Sequence, residues 1–515
     1  MIQPNRRPSA LWAPALVAGL VLGAVAASGP ALAGKADDTL NAAFSAEVTT
    51  LDSYKESGRE GLVLARLLYD SLLNKDMATG EFKPELAESY KIVDDKTIDF
   101  KLRNNVKFHN GQPMTADDVV YTLNLVSSKD YNARYQIAVE WIDHAEKLGD
   151  YEVRLHMKRP NPLALEMLAG NLPIYPKAYY EKVGSQGMSV KPVGAGPYKL
   201  VEMTPGTRYV LERFEDYYAG SPKGAAKIKH MVVRVLPESN TQYAELVNGQ
   251  LDWIWRVPPD DARNLARQKN VAVSNAQIMR FAYISINPNY KDGKSPLADV
   301  RVRQAINMAV DKGSIVKALI GGASQPMAAA CNPLQFGCTN DVKTYPFDTA
   351  KAKALLAEAG YPDGIKLDLV FTSLPRIQAE AIAANLGKAG IHVTLNEQQY
   401  APGISAWREG RAPLLLTNWG SYGVGDVGLS VGQFFSGTGD DLAKDKDIIP
   451  LLQAANTSMD RAKRQENYKK ALQIIADKAY WVPLWTYNVI TAHNKDLVVT
   501  QNADEFVDFF RAHWK

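Results

Sequence analysis

Asp426 is the one acidic side chain in a glycine-rich segment that runs from Asn418 to Gly428 with the sequence NWGSYGVGDVG. The segment also carries Trp419 and Tyr422, and its glycines permit the close approach of another backbone. A single acid without an acidic or histidine partner in the segment suits the binding of a cation better than proton transfer. The alternative is a solvated turn, in which Asp and Gly are common residues. The residue types therefore favour cation binding over proton transfer and leave the solvated turn open.

Other polar clusters in the sequence have local explanations. Asp117 and Asp118 follow Thr115, a natural helix N-cap, and so lie in a first helical turn that favours carboxylates. The glycines of segment 194–200 neither form G-x-G-x-x-G nor open a helix, which argues against a nucleotide site. The seven histidines show no Ser/His/Asp order and no zinc spacing. We therefore expect no catalytic residue, no metal and no cofactor, and predict that the protein is not an enzyme.

The elements around the glycine-rich segment indicate how it is positioned. The apolar run from Pro413 to Thr417 is typical of a buried parallel strand. In open α/β sheets, ligands bind at the carboxyl edge of the strands, so this strand is expected to deliver the segment to a crevice. Beyond residue 285, helices and strands alternate, as in an α/β unit with a parallel sheet. The elements predicted there are helix Ala350–Gly360, strand Ile365–Phe371, helix Arg376–Gly390, strand His392–Leu395 and a last strand Trp481–Ala492. The earlier part is β-rich, largely antiparallel, and includes a helix predicted over Gly61–Leu73.

The N-terminus has the pattern of a secretory signal. Arg6 and Arg7 form a basic start, an apolar stretch follows, and Ala31-Leu32-Ala33 is an A-x-A cleavage site. We therefore expect export to the periplasm with cleavage after Ala33. The formal net charge of +3 becomes about +1 without this leader, which argues against a nucleic-acid partner. At 515 residues, the chain should form two or more domains.

Cys331 and Cys338 are the only cysteines. In an exported chain this spacing indicates a local disulfide, since a metal site would need further ligands nearby. Closing so short a loop would stabilise the fold by about 2–3 kcal/mol in the chain-entropy model.

Several segments resemble the extracellular solute-binding proteins of peptide ABC importers, the dipeptide-, oligopeptide- and nickel-binding family 5. Residues 102–119, LRNNVKFHNGQPMTADDV, are similar to one family signature, and GAGPY at 194–198 is similar to the family's GTGPY turn. Residues 299–312, DVRVRQAINMAVDK, resemble its most recognisable helix. Together with further matches, these segments cover most of residues 39–500 in the family order.

The resemblance implies an α/β fold with two lobes, the type II periplasmic binding protein fold, with a hinge and an extra subdomain in the first lobe (cluster C-like). The first lobe would comprise residues 34–285 plus 488–515, with the subdomain inserted at roughly 75–200. The second lobe would comprise residues 286–487. The two chain crossings, near Asn287 and Tyr487, would form the hinge that closes the lobes around a ligand.

The resemblance also suggests ligand contacts. In peptide-binding relatives, an acid shortly after a Trp-Gly loop pairs with the α-ammonium of the peptide, and Asp426 occupies the comparable place. The sequence around Asp426 departs from the family's usual W-x-x-D-Y-x-D-P. Arg376, at a predicted helix start, and Arg59, in the loop after Tyr54, are the candidates for an anionic group of the ligand. The aromatic residues expected to form apolar walls are Trp255, Tyr283, Trp419 and Tyr422, whereas those of the C-terminal tail are assigned to packing.

The implied function is that of a periplasmic, monomeric receptor that captures a small peptide or peptide-like solute and delivers it to the ABC permease subunits in the membrane. Within transport, an opine, glutathione, a sugar conjugate, nickel or haem remains an alternative ligand. Two other classes stay open. A secreted hydrolase would need a nucleophile beside a base, which the sequence does not place, and a sensor or chaperone subunit would use the same fold.

Overall fold

The computed structural model of the chain describes residues 34–56, 58–77 and 79–515. The export signal predicted over residues 1–33 lies outside the described residues. None of the helices in the described ranges combines the length and the apolar character that a membrane span requires.

The strands are β1 Thr39–Phe44, β2 Leu73–Lys75, β3 Phe82–Pro84, β4 Ala87–Asp94, β5 Thr97–Leu102, β6 Ile142–Gly149, β7 Glu152–Met157, β8 Tyr198–Thr204, β9 Arg208–Arg213, β10 His230–Val235, β11 Trp253–Ile254, β12 Val271–Ile286, β13 Ile365–Phe371, β14 Ile391–Glu397, β15 Leu414–Gly420, β16 Trp481–Asn494, β17 Leu497–Val498 and β18 His513–Trp514. The helices are α1 Arg59–Leu68, α2 Ala116–Ser127, α3 Ala164–Leu168, α4 Lys177–Val190, α5 Ser239–Val247, α6 Pro259–Leu265, α7 Val300–Met308, α8 Lys312–Ile315, α9 Thr349–Glu358, α10 Arg376–Lys388, α11 Tyr400–Arg408, α12 Gly428–Phe435, α13 Ile449–Thr457 and α14 Arg461–Asp477. Short 3-10 helices cover Lys35–Asp37, Gln136–Ala138, Pro296–Ala298 and Phe509–Arg511, and a π-helical turn covers Val316–Ile320.

A ten-stranded sheet in the order β14-β13-β15-β12-β16-β11-β1-β10-β9-β8 runs through the molecule. Strand β15 pairs in parallel with β13, as its apolar run predicts, but antiparallel with β12. Strand β13 has the predicted bounds, whereas α1 begins and ends earlier than the predicted helix at 61–73. Arg59 is therefore the first residue of a helix rather than the end of a loop.

The two long neighbouring strands β12 and β16 connect the two ends of this sheet. Because strand side chains alternate between faces, Phe281 and Tyr283 lie in one hydrophobic core, and Ala282 and Ile284 lie in another. The first core is shared with α1 and α12–α14, and the second is formed with α7, α9 and α10. The pairing of β12 with β16 is irregular between residues 277 and 283, where the register shifts. Such bulges bend a strand pair locally.

A separate four-stranded antiparallel sheet, in the order β4-β5-β7-β6, carries α2. The predicted cap of α2 is confirmed, because the Asp118 carboxylate accepts a hydrogen bond of 2.9 Å from the backbone N–H of Thr115. This sheet lies within the 75–200 range assigned to the inserted subdomain. The division into lobes at residues 285/286 and 487/488 stays a prediction.

His109 joins two of the sequence segments that carry the family resemblance. Its Nε2 lies 3.0 Å from the carbonyl oxygen of Gly196, and Gly194 N donates to its Nδ1 at 3.3 Å. Both glycines approach the end of α1 so closely that a Cβ at Gly196 would lie 2.3 Å from the Leu67 carbonyl oxygen. Glycine is therefore required at this contact, which holds α1 in place.

Candidate ligand-binding site

A cavity of about 320 Å³ lies at the face of α1 and is lined by residues from distant parts of the sequence. The volume is within the range of small-molecule sites, roughly 300–1,000 Å³. Its aromatic walls are Tyr54, Tyr135, Tyr400, Tyr422 and Phe506. Of these, Tyr400 and Tyr422 come from residues 286–487, and the others come from the remainder of the chain. The cavity therefore lies between the two parts predicted as lobes.

Tyr422 closes the cavity by stacking on Tyr135, with ring centroids 4.8 Å apart and an interplanar angle of 25°. Its backbone φ is +52°, a conformation that a bulky residue adopts only when its surroundings impose it. The sequence predicts that Tyr422 forms part of an apolar wall, and its ring bridges the two sides of this cavity.

The loop that carries Tyr422 is supported by the segment that contains the disulfide. Cys331 and Cys338 are joined, as predicted. Between them, Phe336 N donates to the Gly425 carbonyl at 2.8 Å, and Val427 N donates to the Phe336 carbonyl at 3.0 Å. The Gln335 side-chain amide also donates to the Val424 carbonyl, at 3.0 Å. The disulfide therefore closes a segment that fixes the backbone of residues 424–427.

Asp426 is buried and paired with a residue that the sequence did not suggest. Its Oδ2 accepts a hydrogen bond of 2.7 Å from Arg464 Nη2 on α14, and its Oδ1 accepts one of 2.8 Å from Gly428 N. The Tyr468 hydroxyl accepts from the same Arg464 nitrogen at 3.0 Å. Burial raises the pKa of the Asp426 carboxyl and the arginine opposes this effect. Both oxygens are engaged within the protein, and Asp426 is not among the described residues that line the cavity. Its role as an ammonium partner stays a prediction.

Arg59 lies buried at the N-terminal end of α1. Its Nη2 is 3.6 Å from Glu505 Oε1, and its guanidinium lies 4.6 Å from the centre of the Phe506 ring. Two turns further along α1, Arg66 packs on the same ring at 3.8 Å and donates to Asp504 at 2.8 Å. Phe506 packs in the hydrophobic core, as assigned, and it also forms part of the cavity wall between two guanidinium groups and their carboxylates.

Trp419 and Tyr283 line a second, much smaller cavity of about 20 Å³, and Tyr400 lines both cavities. Tyr283 stacks on Trp481 with a centroid distance of 3.8 Å, in the core beneath this space. Trp255 is buried against the guanidinium of Arg256 at 4.2 Å and is not among the described residues that line either cavity. The ligand-contact roles of these three aromatic residues stay predictions.

Arg376 begins α10, as predicted, but it lies on the surface with its side chain 56% exposed. It pairs with Glu380 and Glu397, each at 3.0 Å. Exposed pairs of this kind contribute little to stability because solvent screens them. Neither described cavity is lined by Arg376, so its role as a carboxylate partner also stays a prediction.

Sequence reasoning missed several residues that line the cavity, namely Arg66, Tyr135, Asn171, Tyr400 and Phe506. Only Arg66 had a detectable signal, since a spacing of seven residues places it on the same helical face as Arg59. The other four lie in separate segments without a motif. Among the described residues, no group of three or more His, Cys, Asp or Glu side chains could hold a metal ion.

Comparison with known proteins places this site in a family context. The family model described as bacterial extracellular solute-binding proteins, family 5 Middle, matches residues 81–441. The dipeptide-binding protein of Escherichia coli K12 is 27% identical over 448 residues, covering 80% of this chain and 82% of that protein. The glutathione-binding protein GsiB of Salmonella paratyphi A is 28% identical over 502 residues, covering 93% of this chain and 94% of that protein.

A solved structure shows the same architecture. HbpA2 from Haemophilus parasuis superposes with a TM-score of 0.82 at 25% identity, covering 93% of this chain and all of that one. The predicted fold class, an α/β protein with the two-lobed type II periplasmic binding fold, is thereby confirmed. The chain belongs to family 5 of the bacterial extracellular solute-binding proteins.

Proposed function

We propose that this protein is an exported receptor that captures a small peptide or peptide-like solute in the 320 Å³ cavity and delivers it to an ABC permease. The observation that carries this proposal is a cavity of small-molecule size whose walls come from both lobes. A ligand in this cavity contacts both lobes at once. It therefore binds the closed arrangement more tightly than the open one, and so favours closure.

The relatives support the class of ligand. One is named for dipeptides and another for glutathione, and both of these are short chains of amino-acid residues with free carboxylates. The cavity supplies aromatic walls with polar rims, which suit such amphipathic solutes. Asn171 and Arg66 add polar groups to this lining.

We place the hinge in β12 and β16, with the lobes at residues 34–285 plus 488–515 and 286–487. The register shifts between residues 277 and 283 support this position, because irregular pairing gives the strand pair a place to bend. Closure would bring Tyr422 onto Tyr135, the contact seen in this structure.

The proposal includes finer assignments. Location in the periplasm, action as a monomer, docking to permease subunits, and the absence of enzymatic activity and of a nucleic-acid partner are part of the proposal. An alternative of another class, a secreted hydrolase, would reveal itself by turnover of a peptide.

The test uses protein that has been unfolded, dialysed and refolded to remove solutes carried from the producing cells. Thermal unfolding and calorimetry are then measured with a panel of di- and tripeptides, glutathione, an opine and a sugar conjugate. A ligand at 100 times its Kd should stabilise the fold by about 2.7 kcal/mol. If the opine or the sugar conjugate stabilises the protein and no peptide does, the peptide proposal is wrong.

A matched pair of variants locates the binding. Tyr422→Ala removes a ring from the cavity wall, and Phe347→Ala removes an exposed ring elsewhere. We expect weaker peptide binding only in the first. Equal binding by both variants would contradict the placement of the ligand in this cavity.

A further inference from the structure

The guanidinium of Arg59 has a donor that nothing in the described residues satisfies. The side chain is 8% exposed, and Nη1 is buried without a hydrogen-bond partner. The other terminal nitrogen has a single nearby carboxylate, Glu505, at 3.6 Å. Because leaving a buried charged donor unpaired costs free energy, such a group indicates a partner that binds from outside the chain.

A second unsatisfied group belongs to a residue that lines the cavity. The Tyr135 hydroxyl is buried without a partner among the described residues, although Tyr135 lines the cavity. Tyr135 lines the same cavity as the Phe506 ring on which Arg59 packs at 4.6 Å. The charge of Arg59 also acts on the Tyr135 hydroxyl and partly offsets the burial that raises the pKa of Tyr135. A guanidinium N–H and a phenolic O–H together offer two donors to one acceptor group.

Arg59 shares a helical face with two residues that line the cavity. Arg59, Leu62 and Arg66 are spaced as i, i+3 and i+7, and so share one face of the helix. Leu62 and Arg66 line the cavity, and the Phe506 ring that packs on Arg59 lines it as well. Arg59 is not itself among the described residues that line the cavity, and it adjoins the wall through the Phe506 ring.

Arg59 lies among other charged side chains. The charged groups that act on Arg59 are Glu505, Asp504, Arg280 and Arg66. The cluster extends further, because Asp508 also acts on Arg66 and Arg256 also acts on Glu505. Glu505 is shared, since it also accepts from Arg280 Nε at 2.9 Å, and Asp504 is paired with Arg66 at 2.8 Å. Both carboxylates are therefore engaged by other guanidinium groups, and Arg59 Nη1 has no hydrogen-bond partner among the described residues.

We propose that Arg59 Nη1 and Tyr135 Oη form a subsite for one carboxylate group of the bound solute. The proposal deepens the proposed function, on which it rests for the cavity as the binding site. It assigns the ligand to the class of compounds with a free carboxylate, bound by charge-assisted hydrogen bonds. A phosphate group offers related oxygens, and the experiment below separates the two.

The test compares each acid with its neutral counterpart on refolded full-length protein. The probes are Ala-Ala, Leu-Leu and Ala-Ala-Ala with their C-terminal amides, and the non-peptide acid gluconate with gluconamide. Inorganic phosphate and acetate serve as competitors. We expect the peptide acids to bind about 10- to 100-fold more tightly than the amides, the range for a hydrogen bond to a charged group. Acetate should compete with them more effectively than phosphate.

Two variants test whether Arg59 and Tyr135 cause the difference in affinity between acids and amides. Arg59→Gln should abolish the preference for acids, and Tyr135→Phe, which removes only the hydroxyl, should reduce it by about tenfold while amides bind as before. The control is Tyr131→Phe, because the Tyr131 hydroxyl is paired with that of Tyr180 and Tyr131 is not among the described cavity residues. Circular dichroism and thermal unfolding verify that each variant folds. If Arg59→Gln does not fold, the result for Tyr135→Phe decides the test.

The outcomes separate the subsite from the function. Amides that bind as tightly as acids would overturn the subsite while the peptide receptor stands, and equal losses in Tyr135→Phe and Tyr131→Phe would overturn it as well. Binding of gluconate without any peptide would support the subsite and overturn the peptide receptor. If phosphate competes more strongly than acetate, the subsite binds a phosphate group rather than a carboxylate. Binding by none of the probes would overturn both proposals.

Discussion

Tyr135 and Tyr422 stack across the cavity between the two parts of the chain predicted as lobes, with ring centroids 4.8 Å apart, although they are separated by 287 positions in the chain. Tyr422 reaches this position only through a left-handed backbone conformation with φ +52°. The strain of a non-glycine residue in this region, of order 1–3 kcal/mol, is offset by the contacts that the loop makes.

Removing this stack should weaken ligand binding through faster release. Tyr422→Ala loses an aromatic pair worth about 0.5–1.5 kcal/mol beyond its area burial, so we expect the dissociation rate to rise by about two- to tenfold. Stopped-flow dissociation of a peptide identified by the binding panel measures this change. An unaltered dissociation rate would show that the stack does not hold the lobes closed.

Asp426 offers a test between a structural and a ligand-binding role. Because it forms a buried ion pair with Arg464, Asp426→Ala should lower the free energy of unfolding by about 3–5 kcal/mol. Urea unfolding of the ligand-free protein measures this effect, with Arg376→Ala as an exposed control that should change little. The opposite pattern, an unchanged stability with a collapse of peptide affinity, would support the ammonium partner predicted from the sequence.

Stability should depend on pH through His109. Burial lowers the pKa of this imidazole to about 4, below its ordinary value of 6.5. The unfolded chain therefore binds a proton that the folded protein does not bind until about pH 4. The contribution of His109 to the free energy of unfolding is therefore fully present above about pH 6.5. It is lost as the pH falls towards 4, and the total loss is at most about 3 kcal/mol.

Urea unfolding between pH 4.5 and 7.5 measures this dependence in the parent protein and in His109→Gln. Comparing these two proteins separates the contribution of His109 from that of other buried groups. One such group is Glu85, whose pKa is raised to about 8 by burial and by Asp70. The exposed His392→Gln is the control. A pH dependence that is the same in all three proteins would rule out the role of His109.

The disulfide should affect both stability and binding. Replacing both cysteines, Cys331→Ser with Cys338→Ser, removes a cross-link worth about 2–3 kcal/mol in the chain-entropy model. We also expect weaker peptide binding, because Gln335 and Phe336 fix the backbone of the loop that carries Tyr422. Calorimetric unfolding and peptide titration, with and without reductant on the parent protein, measure the two effects. A loss of stability with unchanged affinity would show that the loop keeps its shape without the cross-link.

Local patterns were sufficient for much of the architecture. Strand β13 has its predicted bounds because a buried apolar run between turns leaves few alternatives, and the cap of α2 follows from Thr115 and Asp118 alone. The cysteine pair was also predictable, since seven positions can be bridged within one loop. In each case the partners are neighbours in the chain, so propensity, period and spacing carry the information.

The site depended on contacts that no local pattern encodes. Asp426 looked unpaired within its loop, but Arg464 reaches it from a helix 38 positions later. Phe506 packs in the core, as expected for the aromatic tail, but no local pattern showed that it also lines the cavity and lies against Arg59.

The sequence by itself thus determined the family, the order of the elements and the loop that carries Tyr422. The tertiary structure decided which charges are paired and which donors, on Arg59 and Tyr135, are left for a ligand. The physical reason is that hydrogen-bond and charge balance in a buried site is a sum over groups brought together by folding, and no single segment contains that sum.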